Sequence, residues 1–252
     1  MSGHSKWATI KRKKAATDAA RGKAFTKIIK EITIAARLGG GDPAGNPRLR
    51  LAVQNAKSNN MPMDNINRAI KKGTGELEGV HYEDITYEGY AHGGVALVIE
   101  CVTDNRNRTV SELRHIMSRN GGTLAESGAV IWNFEHKGII TIPKDGFSEE
   151  DILNIIIDAG ADDLVEEADF FQVTTSLESF ESVRKVLDSS NLPGLNIENA
   201  SLQYVAKTLT KSESKDAEQV LRLISALEDH DDVQNVYSNA DIDEKILAEF
   251  NG

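Results

Sequence analysis

Apolar positions along the chain keep a helical period up to about residue 80 and alternate between strand and helix periods beyond it. In AFTKIIKEITIAARLGGG, Phe25, Ile28, Ile29, Ile32 and Ala36 recur at helical spacing and the glycines at 39–41 supply a stop, which predicts one amphipathic helix. Asn46 is placed to cap a second helix with Pro47 at its first position, and Leu51, Ala52 and Ala56 form its inward stripe. A third begins near Pro62 and carries Met63, Ile66, Ala69 and Ile70 on one face. It closes on Lys71 and Lys72, cations suited to the negative end of the helix dipole, with Gly73 as its stop. Three short helices predict a small bundle over residues 23–78, with an arm over residues 1–22 ahead of it.

Beyond the bundle, strand patterns enter. YEDITYEGY and GGVALVIECVT read as strands, TVSELRHIMSRN as a helix and GAVIWNFEH as a strand, with Gly93 and Gly94, then Gly121 and Gly122, as turns. From Gly138 a second series runs GIITIP (strand), EEDILNIIIDAGA (helix), DLVEE (weak strand), FFQVTTS (strand), LESFESVRKVLDSS (helix) and NASLQYVAKT (strand). That order, βαββαβ, is a complete split βαβ unit. The tail adds a helix, DAEQVLRLISALEDH, and a strand, DVQNVYSN, which complete the unfinished ββαβ set before it. The prediction is an α+β multidomain chain: a basic N-terminal three-helix bundle followed by two ferredoxin-like-type α/β domains, one inserted in the other. The central domain takes residues 79–136 and 206–240, and the inserted domain residues 137–205.

Composition narrows the classes. At 252 residues, 40% hydrophobic and 27% charged, the chain reads as an ordinary globular protein with room for two or three modest domains. No apolar run approaches the roughly 20 residues of a membrane span, so no membrane partner is expected. The N-terminus lacks the apolar core of a secretory signal, although its basic, acid-poor character overlaps with that of organelle transit peptides. The single cysteine, Cys101, sits inside VALVIECV; no internal disulfide or thiolate cluster can form, and a buried structural thiol in a reducing cytoplasm is expected.

Charge changes the picture more. The net −10 conceals a division, because residues 1–72 hold 16 Lys/Arg against 4 Asp/Glu and the remainder holds 13 against 35. The first thirty residues carry Lys6, Lys11, Arg12, Lys13, Lys14, Arg21, Lys23, Lys27 and Lys30 against Asp18 alone, with Trp7 among them. Cations without interleaved acids call for a polyanion, since Lys and Arg release condensed counterions when they neutralise phosphates. The candidate nucleic-acid-binding residues are Lys6, Trp7, Lys11, Arg12, Lys13, Lys14, Arg21, Lys23 and Lys27. Trp7 either stacks on a base or packs on its own bundle.

Catalytic chemistry is not signalled. The six histidines (His4, His81, His92, His115, His136, His230) show no HExxH pair or other short ligand spacing, and no phosphate-loop or nucleophile-elbow motif occurs. GTGELEG follows a helix, has misspaced glycines and carries Glu76 and Glu78, so it reads as a linker. Residues 145–171 hold ten acids and no Lys/Arg, yet lack the alternating oxygen ligands and glycine of a calcium loop; a solvated acidic face is expected. No enzyme, cofactor or metal is predicted. One constellation stands apart: in VTDNRNRTVSEL, Thr109 and Glu112 are spaced as a capping box while Arg106 and Arg108 sit by the positive end of the helix dipole. With Asn105 and Asn107 they form a candidate anion site for a phosphate or carboxylate. The alternative is that the arginines bridge to the acidic body or to a neighbouring domain.

Several long, separately placed stretches, MSGHSKWATIKRKK, GKAFTKIIKEI, GGGDPAGNPRLR, NNMPMDNINRAIKKG, YEGYAHGGVALVIECVTDNRNRT and GAVIWNFEHKG, resemble the YebC/PmpR family of regulatory proteins over essentially the whole chain. The resemblance implies three domains, one inserted in another, and a non-enzymatic, DNA-binding transcriptional regulator of the bacterial cytoplasm. A mitochondrial relative is a translational activator of cytochrome c oxidase, and bacterial members are linked to ribosomes stalled on proline-rich sequence. The resemblance therefore implies, as a second reading, a translation factor that binds ribosomal RNA. Because family members begin with the same GHSKW stretch, it also implies that the arm belongs to the working protein and is not a transit peptide. Residue chemistry leans slightly to RNA: a basic arm with one aromatic suits crevices and unpaired bases, and no helix reads as a recognition helix for the major groove.

Overall fold

The computed structural model describes residues 18–144, 146–190 and 192–250. Lys6, Trp7, Lys11, Arg12, Lys13 and Lys14 lie outside the described residues, as does the side chain of Arg21. The first described helix already runs from Asp18, so the boundary drawn at residue 22 between arm and bundle falls inside a helix. The chain divides into two compact units, residues 134–205 and the remainder.

The larger unit opens with α1 (Asp18–Gly39), α2 (Pro47–Ser58) and α3 (Met63–Thr74). One side chain organises the first corner: Asn46 Oδ1 accepts from Leu49 N at 3.1 Å to cap α2, while its Nδ2 donates to Ala35 O at 2.8 Å and Gly40 O at 2.9 Å to close the end of α1. Both orphan donors and orphan carbonyls are thereby satisfied by one amide. Ile28, Ile32 and Ala36 of α1 meet Leu49, Ala52 and Ala56 of α2 and Ile66 and Ala69 of α3 in one cluster. Met63, expected in this core, is instead 50% exposed, and Met61 is buried there. α3 passes its predicted stop and ends at Gly75, whose φ of 83° is the left-handed conformation that glycine adopts without strain.

The central sheet follows. β1 (Glu83–Tyr90) and β2 (Ala96–Thr103) form a hairpin through a turn with Gly93 at φ 69° and Gly94 at φ 75°. α4 (Arg106–Arg119) and β3 (Thr123–Ala125) come next. Beyond the insertion the chain adds β8 (Thr210–Lys211), α7 (Ser214–Glu228), β9 (Val233–Ser238), β10 (Ala240–Asp241) and α8 (Glu244–Glu249). The main sheet is antiparallel in the order β3-β1-β2-β9, and β8 and β10 form a small parallel pair. Leu97, Ile99 and Cys101 of β2 pack with Leu113 and Met117 of α4 and with Val220, Ile224 and Leu227 of α7. This core continues past residue 240, where the domain was expected to end, because Ile242, Leu247 and Phe250 join it.

The smaller unit contains β4 (Phe134–Pro143), α5 (Glu149–Ile156), β5 (Ala161–Glu166), β6 (Phe170–Thr175), α6 (Phe180–Asp188) and β7 (Asn199–Ala206), with strand order β5-β6-β4-β7. That is the split βαβ arrangement read from the sequence. The unit begins at Phe134, three residues earlier than expected, since GAVIWNFEH is not one strand: Ile131–Asn133 is a 3-10 turn and β4 starts after it.

Candidate nucleic-acid interface

The cations of the helical region fall into two groups. Lys23, Lys27 and Lys30 stand at i, i+4 and i+7, on one face of α1. They meet residues 228–232, Glu-Asp-His-Asp-Asp, where α7 ends. Lys27 Nζ donates to Glu228 O at 2.6 Å. Lys30 Nζ donates to Asp231 O at 2.9 Å and to Asp232 Oδ1 at 2.7 Å. Lys23 Nζ lies 3.6 Å from Asp229 Oδ1. A helix C-terminus exposes unpaired carbonyls and the negative end of its dipole, so a row of lysines is well matched to it. Lys27, expected to bind nucleic acid, is therefore engaged within the chain, and Lys23 stands beside an acid while remaining exposed. Arg37 donates to Tyr82 O, Arg48 forks onto both Glu31 and Asp84, and Arg50 donates to Pro43 O and Ala44 O.

Arg68, Lys71 and Lys72 belong to the second group. They stand at i, i+3 and i+4 on α3, are exposed, and make no ion pair within 4.0 Å with a described carboxylate. Their face lies opposite Ile66, Ala69 and Gly73, which are buried. The sequence holds a signal for them, because all three fall off the apolar stripe of α3, yet only Lys71 and Lys72 stand out from it, as helix-end cations, and Arg68 does not.

The Arg106 and Arg108 corner resolves differently from an anion site. α4 begins at Arg106, capped by Asn105, whose Oδ1 accepts from Arg108 N at 3.1 Å. The expected cap, Thr109, lies inside the helix and is buried; its hydroxyl is 2.8 Å from Asp232 Oδ2 and 2.8 Å from Thr103 Oγ1. Arg108 Nη2 donates to Asp104 at 2.7 Å and Asp232 at 2.9 Å, whereas Arg106 is exposed on the same first turn. The bridging alternative describes Arg108, and the anion it meets is the protein's own Asp232. Burial would push the Asp232 carboxyl up, but hydrogen bonds from Lys30, Arg108 and Thr109 hold it well below the usual carboxylate range.

Next to it, His230 Nδ1 accepts from Asp232 N at 3.0 Å, which places the ring proton on Nε2, 2.7 Å from Glu112 Oε2. Glu112, His230 and Asp232 bring potential ligand atoms within 4.8 Å of one another. They do not suit a metal: His230 Nε2 carries its proton toward Glu112, and Asp232 already has two cations. A cleft of about 700 Å³ opens here, lined by Lys23, Lys30 and Arg108 among several acids, so its surface carries both signs. Cys101 is buried, and burial pushes its thiol up to about 12.

Comparison with known proteins places the whole chain. The family model described as the TACO1/YebC N-terminal domain matches residues 5–76, and that described as the TACO1/YebC second and third domain matches residues 82–240. The chain is 57% identical over 252 residues to a probable transcriptional regulatory protein of Chlorobium phaeobacteroides (strain DSM 266), covering 100% of both. It is 55% identical over 249 residues to a protein of the same description from Chlorobaculum tepidum, covering 98% of both. A crystal structure of a conserved hypothetical protein from Aquifex aeolicus superposes with a TM-score of 0.82 at 45% identity, covering 90% of this chain and 93% of that one.

Proposed function

Since the chain belongs to the TACO1/YebC family, we propose that it is a non-enzymatic regulator of gene expression that binds nucleic acid through its helical region, with DNA-binding transcriptional regulation as the lead reading. The name shared by its relatives, probable transcriptional regulatory protein, supports regulation. The observation that carries nucleic-acid binding is the excess of 16 Lys/Arg over 4 Asp/Glu in residues 1–72, of which Arg68, Lys71 and Lys72 face solvent on one side of α3. Regulation inside the cytoplasm belongs to the same proposal.

A second reading, a translation factor on ribosomal RNA, is favoured by the acid excess beyond residue 72, where 13 Lys/Arg face 35 Asp/Glu. A duplex that wrapped the molecule would meet those acids, whereas a concave phosphate surface can engage the helical region alone. Competition at physiological salt between ribosomes and a promoter-sized duplex for the labelled protein tests the choice. A sequence-dependent win by the duplex supports transcriptional control; capture by ribosomes supports the translational role.

Neutralising Arg68, Lys71 and Lys72 to Gln is expected to weaken binding on either target and to flatten its salt dependence, each lost phosphate contact removing roughly 0.7–0.9 from the log–log slope. Lys27→Gln should instead leave that slope alone and lower stability by about 1 kcal/mol through its lost hydrogen bond. An unchanged slope in the triple variant would exclude the α3 face.

A further inference from the structure

Residues 126–133, between β3 and β4, are built around a buried carboxylate. Glu88 of β1 is 6% exposed; its Oε1 accepts from Gly128 N at 2.6 Å, and its Oε2 accepts from Val130 N at 2.7 Å and Ile131 N at 2.9 Å. Burial would raise the Glu88 carboxyl, but these three backbone donors hold it below its ordinary value. Val130 is buried and fixes the segment to the domain. Two aromatic side chains then converge on one carbonyl: Ala129 O accepts from Trp132 Nε1 at 2.9 Å and from Tyr90 Oη at 3.2 Å. Despite this anchoring, Trp132 is 68% exposed and Tyr90 38%.

We propose that Trp132, with Tyr90 beside it, is a stacking platform for an unpaired base of a single-stranded nucleic acid; the proposal rests on the nucleic-acid reading above. The edges of both rings are fixed by hydrogen bonds, so the rings are held in place before a partner arrives and little side-chain freedom is lost on binding. Aromatic anchors of protein interfaces sit within an apolar, water-excluding surround. Glu126, Ser127 and Gly128, which precede Trp132 here, are exposed and not apolar. A base needs only the π-face. Stacking also requires no local cation, which matters in a domain rich in acids: a duplex would bring its phosphates with it, whereas one unpaired base can reach the ring while its backbone stays in solvent.

The test is the affinity of the full chain for a short fluorescein-labelled oligoadenylate strand, read by anisotropy across a salt series, for wild type, Trp132→Ala and Trp132→Phe. Trp132→Ala is expected to weaken binding about tenfold, with Trp132→Phe between it and wild type. Both should keep the wild-type salt slope, because no phosphate contact is lost, and both should stay cooperatively folded, losing no more than the one exposed hydrogen bond from Nε1 to Ala129 O. Wild-type affinity in Trp132→Ala would overturn the stacking role while leaving nucleic-acid binding standing, as would a loss accompanied by a changed slope or by loss of cooperative unfolding. If the wild-type chain shows no salt-dependent affinity for either this strand or a duplex, the underlying nucleic-acid reading fails first.

Discussion

Asp232 ties its own segment to two others that are remote from it in sequence, α1 and the junction of β2 with α4. Lys30 comes from α1, Arg108 and Thr109 from α4, and Thr103 from the end of β2. Removing one partner of a buried pair leaves the other charge uncompensated, so Asp232→Asn should cost about 3–5 kcal/mol at neutral pH. Because the folded-state pKa is depressed, this stability is fully present above the unfolded value near 3.9 and is lost as pH falls through and below it. Urea unfolding of both proteins should therefore give a constant gap above about pH 5 and a narrowing gap below about pH 4. A gap that stayed constant down to pH 2 would mean that the carboxylate's charge is not what stabilises. The sequence showed Asp232 only as one acid in the run EDHDD, since its partners lie more than a hundred residues away.

Elements with clear periodicity were legible, and the residues between them less so. α1 shows why: its apolar stripe, read correctly, faces the bundle, while the lysines on another face meet the end of α7. Periodicity names the buried face of a helix but not what its polar face meets. Asn46 was recognised as a cap because Pro47 follows it. At α4 the sequence offers Thr109 as the cap, but the helix begins at Arg106 with Asn105 as its cap, and Thr109 is buried inside it against Asp232. Gly73, read as a stop, is a contact: a Cβ there would lie 2.4 Å from Thr33 O of α1. Gly73→Ala gains up to about 1 kcal/mol of helix propensity, but overpacking against a backbone carbonyl costs about 1–3 kcal/mol. A net loss of about 1 kcal/mol in chemical denaturation is expected. A more stable variant would mean that α1 and α3 can separate freely.

For the whole molecule, the insertion has a physical reason to be tolerated. The chain entering and leaving the smaller unit is held at its base, where Asn133 O accepts from Lys207 N at 2.7 Å, Asn133 Oδ1 accepts from Thr208 N at 3.0 Å and Asn133 Nδ2 donates to Thr208 O at 2.9 Å. Replacing residues 134–205 by a short Gly/Ser linker between Asn133 and Ala206 should therefore leave the remainder folded, with cooperative thermal unfolding and the salt-dependent affinity of the helical region retained. Loss of cooperative unfolding would show that the central domain needs the insertion.

The sequence by itself determined the three helices, the hairpin, the βαββαβ unit and the separation of charge between residues 1–72 and the rest, because each is written in local period, turn residues or composition. Tertiary structure alone decided which cations are spent within the chain and which face solvent. Lys27 and Lys71 are the same letter, but one lies against the end of a distant helix and the other is exposed on α3. It also decided that GAVIWN is an anchored segment with an exposed ring and not the start of a strand, since Glu88, whose carboxylate holds it, lies forty residues earlier and is recruited only when β1 and β3 pair. Long-range partners of a charge are set by packing, and no local pattern records them.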